Sequence, residues 1–247
     1  MTTWLNALQA GANELGITLS PREEELFAEF LSRFLERNKV VNLTAIIDPV
    51  EVAVKHFVDS LTVEAVWSPK PGDHAIDIGT GGGFPGIPLA IRHPEVSFLL
   101  TDSVRKKVDF LSEVVKELPL VNVQPHWGRA EELAKNPQHR GQYNFAFARA
   151  VAHLAILIEY AVPLLKIGGR LIAMKGPSGA TEIEESAPAL ASLKASIREV
   201  RRFSLPEAGD RMLIVIEKDE ETPAKYPRDT GLIKKKPLYL DTGRGTT

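Results

Sequence analysis

The residues best placed to do chemistry lie in one stretch, His74 to Gly86. A short apolar run, Ala75 to Ile78, carries the acid Asp77. It leads into Gly79-Thr80-Gly81-Gly82-Gly83, four glycines in five positions. Glycine has no Cβ, so such a loop lets bare backbone approach a ligand. Read as a strand–turn–helix unit, the stretch fits D-x-G-x-G-x-G from Asp77 to Gly83. It also fits G-x-G-x-x-G from Gly81 to Gly86, the dinucleotide pattern, which is a weak signal when it stands alone. A second acid, Asp102, ends the next apolar run. A carboxylate there can accept both hydroxyls of an adenosine ribose, which suits either cofactor class.

The elements that must position these residues follow from periodicity. Trp4, Leu5, Leu8, Ala12 and Leu15 fall at helical spacing. Ser20-Pro21-Arg22-Glu23 reads as a capping box, opening a helix striped by Leu26, Phe27, Phe30, Leu31, Phe34 and Leu35. Asn38 to Thr44 reads as a connection, with Asn42 as a cap or turn residue. Asp48-Pro49 opens another helix, on which His56 and Asp59 share a face and read first as a hydrogen-bonded structural pair. Pro69, Pro71 and Gly72 mark a boundary before the first strand. Strands are then expected near 75–78, 96–101, 121–126, 143–148 and 170–174. Helices are expected near 85–92, 105–118, 153–165 and 181–194, the third stopped by Gly168-Gly169 and the last running through Pro188. Two closing strands, 197–205 and 212–218, are near enough to form a hairpin.

This alternation predicts an α/β fold: a Rossmann-like, mostly parallel, doubly wound sheet of seven strands with an antiparallel closing strand. Residues 1–67 are expected to form a helical extension, 68–220 the catalytic body and 221–247 a basic tail. In such a sheet ligands bind at the carboxyl ends of strands. The Gly79 loop, Asp102, Ala130-Glu131 and Arg149 all fall there, a convergence that a single tight turn does not predict. The glycine loop behind an acid suits an amino group and a charged sulfur better than a pyrophosphate, and the closing hairpin is that of a methyltransferase sheet. Both favour S-adenosylmethionine over NAD.

Composition bounds the rest. Apolar content of 44% and charged content of 25% fit a globular chain, and a net charge of −2 argues against wrapping nucleic acid by bulk charge. From Thr222 to Thr247, however, six basic residues face two acidic ones, so the tail can supply local phosphate contacts or be a solvated terminus. The absence of cysteine excludes a disulfide framework, a cysteine nucleophile and a thiolate metal site, and the six scattered histidines mark no metal site. No apolar run approaches the roughly 20 residues a membrane span needs. A cytoplasmic location with no membrane partner is expected.

Several segments together are more specific than the loop. They are Val41-Asn42-Leu43-Thr44, His56 to Leu61, Asp77 to Gly86, Asp102-Ser103 with Arg105-Lys106-Lys107, Gly128 to Glu131, Ala148 to Val151, Met174-Lys175-Gly176 and Tyr226-Pro227-Arg228. In these the chain resembles the bacterial RsmG family, also called glucose-inhibited division protein B, across about residues 38–228. The resemblance implies S-adenosylmethionine-dependent methylation of guanine N7 in 16S ribosomal RNA, at guanine 527 of the 530 loop. It implies the small ribosomal subunit or its RNA as partner, with no DNA expected.

It also implies cofactor contacts at Gly79, Phe84, Asp102, Ser103, Val104, Ala130, Glu131 and Arg149, and no assigned catalytic base. Taken without the resemblance, Arg149 reads equally as a surface pair and Glu131 as a solvated helix start. Lys175, Arg105, Lys106, Arg201, Arg202, Arg228 and Lys234 to Lys236 are candidate RNA contacts or solvated charges. The competing readings are a small-molecule methyltransferase, an NAD-dependent oxidoreductase and a non-catalytic RNA-binding module.

Overall fold

A computed structural model describes residues 3–205 and 208–239. The chain forms two compact units. One runs from the N-terminus to Gly128 and takes in Ser204–Gly209; the other holds Arg129–Phe203 and the chain from Asp210 onward. The α/β class expected from strand–helix alternation is the one that forms, and its seven strands divide between the units.

The first unit begins with helices. α1 spans Thr3–Glu14 and α2 spans Pro21–Val41. The capping box of α2 is complete. Ser20 accepts from the Glu23 N–H, and Glu23 accepts from the Ser20 N–H at 2.6 Å, satisfying two otherwise orphaned donors. The helix runs further than the polar Asn38 to Thr44 segment implied, and Asn42 ends it in the left-handed region at φ 55°. Asn38 stays helical because its amide replaces a turn, bonding Thr44 N and Thr44 O at 2.9 Å each.

Asp48 caps α3 (Pro49–Val52), as its spacing predicts. The helix then widens into a π-helical segment, Ala53–Val58, before α4 (Asp59–Leu61) and a 3-10 turn, Thr62–Ala65. No periodicity marks this widening, since Val50, Val54, Phe57 and Leu61 keep α-helical spacing across it.

Three parallel strands follow in the order β3-β2-β1: β1 His74–Ile78, β2 Ser97–Asp102 and β3 Val123–Trp127. Ile78 pairs with Thr101, and Asp102 with Trp127, so the acid sits at the carboxyl edge. Helix α5 (Gly86–Arg92) returns after β1, and α6 (Arg105–Glu117) after β2. Helix α2 packs on both. Its stripe of Phe27, Phe30 and Phe34 meets Phe57, Phe84 and Phe110, with ring centroids 5.1–6.3 Å apart. Arg92 on α5 adds polar ties, to Glu23 at 2.7 Å and Glu64 at 3.0 Å. Burial opposes the charge on Glu64, but bonds from His93 and Arg92 outweigh it and lower its pKa.

The second unit carries the order β4-β5-β7-β6. Short helix α7 (Ala130–Leu133) precedes β4 (Tyr143–Arg149), and α8 (Leu154–Ala161) follows it. Then come β5 (Leu165–Lys175), α9 (Gly179–Glu185), α10 (Ala187–Leu193), β6 (Ala195–Leu205) and β7 (Gly209–Lys218). β4 and β5 are parallel, whereas β5 and β7 are antiparallel. Gly168-Gly169 does not stop a helix. Both glycines lie inside β5, where the register against β4 jumps between Tyr143 and Phe145. A Cβ on Gly169 would stand 2.9 Å from Lys166 O and Tyr143 O, so the pair serves a strand irregularity. The expected helix over 181–194 breaks at Ser186, and Pro188 opens its second half instead of interrupting it.

Residues 222–236 are docked on this unit through Arg140, which donates to Thr222 O and Tyr226 O, and through Arg228 on Glu159; α11 spans Thr230–Lys235. Asp241 and Arg244 of the expected tail lie outside the described residues. Among the described residues no helix is long and apolar enough to cross a membrane.

Candidate functional site

In the first unit the strand ends bring the glycine loop, Asp102 and the start of α6 to one corner. Gly79 and Thr80 donate to Thr101 O at 2.8 and 3.1 Å, binding the loop to the end of β2. Asp77 is fully buried and anchors the loop from beneath, its Oδ2 accepting from Thr80 Oγ1 at 2.7 Å and Gly86 N at 2.8 Å. An acid before the glycines is therefore a structural tie first.

The glycines divide the labour. A Cβ on Gly86 would lie 2.2 Å from Leu100 Cδ2, one on Gly82 2.5 Å from Phe34 Cε2, and one on Gly83 2.7 Å from Ile87 Cγ1. These three are glycine because the loop is packed hard against the core. Gly81 differs: its φ is +60°, and the nearest atom to its Cβ position is 4.0 Å away. At Gly81 the backbone is bare toward open space.

The Asp102 carboxylate faces that bare backbone. Oδ2 accepts from Gly81 N at 3.0 Å, and Oδ1 accepts from Val104 N at 2.8 Å. Lys107 Nζ approaches Oδ2 at 3.9 Å. Asp102 is 6% exposed. A carboxylate offers about four lone-pair sites, so two backbone bonds fix its plane and leave acceptor capacity on both oxygens. A vicinal diol is a fitting donor pair for that capacity. Ser103 and Val104 are exposed at the same corner. Trp127, which pattern reading passed over, donates Nε1–H to Ser103 O at 3.1 Å and lies under Arg105 at 5.1 Å. Its signal was only position: it ends β3 directly opposite Asp102.

Phe84 is 4% exposed, and its ring belongs to the aromatic cluster, stacked on His56 at 4.7 Å. Any ligand contact there falls to its backbone. His56 lies on the π-helical segment, with ring nitrogens meeting Thr44 Oγ1 at 3.1 Å and Lys55 O at 3.0 Å. The Val41 to Thr44 and His56 segments thus meet through Thr44.

In the second unit Ala130 and Glu131 open α7, and both are buried. Glu131 is not a solvated helix start: its Oε1 accepts from Thr230 Oγ1 at 2.6 Å. Burial first, and the charge of Glu131 second, push the Tyr160 hydroxyl pKa upward. Arg149 closes β4 in register with Met174 and is half-buried; Ala150 after it adopts φ 55°. Two candidate RNA cations have other work here. Lys175 Nζ pairs with Glu182 at 2.7 Å, and Arg228 grips the fully buried Glu159.

The rRNA small subunit methyltransferase G family matches residues 23–213. Among similar proteins is the ribosomal RNA small subunit methyltransferase G of Pelotomaculum thermopropionicum, 44% identical over 96% of this chain and 100% of its own length. The protein of the same name from Deinococcus radiodurans is 44% identical over 94% of this chain and 92% of its own. That from Desulfitobacterium hafniense is 48% identical over 91% and 93%. Among solved structures, a SAM-dependent methyltransferase from Aquifex aeolicus aligns with 76% of this chain and 98% of its own. Its TM-score is 0.53 at 16% identity, a likeness of fold.

Proposed function

The chain belongs to the rRNA small subunit methyltransferase G family, and from that premise we propose that it methylates N7 of a guanine in bacterial 16S rRNA, guanine 527 of the 530 loop, using S-adenosylmethionine. The single observation that carries the cofactor assignment is the Asp102 corner. There a buried carboxylate, its plane fixed by Gly81 N and Val104 N, keeps acceptor capacity beside a glycine with open space at its Cβ position. Ribose hydroxyls suit Asp102. Gly79 and the Phe84 backbone suit the amino-acid end, Ser103 and Val104 the nucleoside. From the family resemblance, Ala130 and Glu131 are the candidates for the adenine edge and Arg149, with a planar fork, for a carboxylate. We assign residues 68–220 as the catalytic body, with 1–67 as its helical extension and 221–247 as its basic tail.

When bound, S-adenosylmethionine supplies an electrophilic methyl on a sulfonium, leaving as a neutral thioether once guanine N7 has taken the methyl. N7 carries no proton, so the chain needs no general base. Its residues must instead hold the two reactants in line and exclude competing orientations, an effect worth up to about 7–11 kcal/mol in well-aligned systems. The product ring is cationic, so carboxylates nearby help more than arginines. The target guanine must be unpaired or extruded to present N7 in line.

Titration calorimetry tests the cofactor assignment. Wild-type protein is expected to bind S-adenosylmethionine, and Asp102→Ala to bind it about 100-fold more weakly. Two charge-assisted hydrogen bonds at about 1.5 kcal/mol each give that loss. Binding of NAD in place of S-adenosylmethionine by the wild type would overturn the proposal.

A further inference from the structure

The second unit contains a cationic cleft that the cofactor assignment does not use. It has a volume of about 600 Å³ and is lined by Lys135, Arg140, Lys225, Arg228 and Asp229, among others. Four cations thus face one acid. The charges are built in, not scattered. Arg228 is fixed by Glu159 behind it, with Nε–Oε1 at 2.8 Å and Nη2–Oε2 at 2.6 Å.

Arg140 is held differently. Its Nη1 donates to Ala134 O at 3.2 Å and Tyr226 O at 2.8 Å, and its Nη2 donates to Thr222 O at 2.9 Å. Neutral carbonyls orient this guanidinium without neutralising it. Among the described residues, neither Arg140 nor Lys225 forms an ion pair with a carboxylate; Lys225 Nζ rests over the Tyr226 ring at 5.2 Å. Lys135 is paired only with Asp229, whose side chain is 88% exposed, so it can exchange that partner for an incoming anion at little cost.

The surroundings extend the pattern. Lys234, Lys235 and Lys236 are exposed on and just after α11, whose Leu232 lines the cleft. In a chain with a net charge of −2 this is a strong local asymmetry. An oriented but uncompensated guanidinium, flanked by exchangeable lysines, matches the spaced single charges of a polynucleotide backbone.

We propose that the cleft between the 135–140 stretch, which follows α7, and the 222–236 segment binds the phosphodiester backbone of single-stranded RNA, positioning the substrate by charge and not by base. This rests on the RNA methyltransferase reading above. It adds that the C-terminal segment is a substrate-holding element of the folded unit.

The test uses the full-length protein and a fluorescently labelled single-stranded RNA of about 20 nucleotides, titrated across a range of salt concentrations. For single strands, log K falls with log salt by about 0.7 per phosphate neutralised. Lys225→Gln is expected to lower the slope by about 0.7, and Lys225→Gln with Arg140→Gln by about 1.4. Each lost contact weakens binding about fourfold at 0.15 M salt. Binding of S-adenosylmethionine should be unchanged in both. Because Arg140 also clamps backbone, Lys225→Gln alone is the decisive variant if the double variant fails to fold.

Unchanged slope and affinity in Lys225→Gln would overturn the proposal. Binding of millimolar inorganic phosphate that is lost in Lys225→Gln, with RNA binding unaffected both by that phosphate and by the substitution, would overturn it in favour of a small-anion site. Failure of the wild type to methylate 16S rRNA would instead count against the function proposed above, so the two failures are distinguishable.

Discussion

Replacing Arg228 by alanine should unfold this protein at a distinctly lower temperature. Glu159 is fully buried on α8, and Arg228 supplies two side-chain bonds to it, at 2.8 and 2.6 Å. The Arg228 side chain is itself only 17% exposed, so solvent screening discounts little. Removing one partner of a buried ion pair costs about 3–5 kcal/mol, because the remaining charge is left uncompensated. Here the Arg228 backbone N–H also donates to Glu159 Oε1 at 2.9 Å and survives the substitution. The lower end, about 3 kcal/mol, is therefore the expectation. For a chain of this length each kcal/mol shifts the midpoint by about 2–4 °C, which gives a fall of roughly 6–12 °C.

Differential scanning calorimetry reads the shift, and backbone hydrogen exchange across 226–236 reports whether the docked segment loosens with it. The double replacement Arg228→Met with Glu159→Leu should recover most of the loss, since a well-packed apolar pair removes the stranded charge. A fall below 2 °C for Arg228→Ala, with exchange unchanged, would refute this reasoning. The segment would then be the solvated terminus that charge alone allows.

Further outcomes follow from other contacts. Gly86→Ala places a Cβ 2.2 Å from Leu100 Cδ2 and 2.8 Å from Asp77 Oδ2, so a loss of about 1–3 kcal/mol is expected in urea unfolding. Gly81→Ala meets nothing closer than 4.0 Å; it should cost only about 1 kcal/mol of φ strain while sharply weakening cofactor binding in the same titration. Thr230→Ala removes the bond to Glu131 and is expected to weaken S-adenosylmethionine binding about tenfold, some 1.4 kcal/mol, with Thr230→Ser restoring it. Equal binding by all three would show that Glu131 needs no orienting partner.

Glu182 carries a pH signature. Burial opposes its charge, but Lys175, Leu154 N and Ser178 Oγ together hold its pKa below the usual 4.5. Its stabilising contribution is full above 4.5 and is lost as pH falls through the lowered value. Lys175→Met should therefore flatten the acid limb of a stability–pH curve, and an unaltered limb would remove Glu182 from the acid response.

Much of this was legible where local chemistry decides. The Ser20 and Asp48 caps, the glycine loop and the acid ending β2 each follow from short-range rules, and each formed as read. The misreadings share a cause: a partner distant in sequence. Gly168-Gly169 resembles a helix stop until β4 is placed beside it. Glu131 resembles a solvated acid until Thr230, ninety-nine residues later, is bonded to it. Arg228 resembles a free cation until Glu159, sixty-nine residues earlier and fully buried, is bonded to it. The π-helical widening at His56 leaves no trace in hydrophobic spacing.

The most direct test of the central claim is methyl transfer from isotopically labelled S-adenosylmethionine to small-subunit ribosomal RNA, with the modified nucleotide located by mass spectrometry of the digested RNA. The account predicts one labelled 7-methylguanine, at guanine 527, formed by the wild type and lost in Asp102→Ala. Label on a different atom or a different nucleotide, or label transferred equally well by Asp102→Ala, would contradict it.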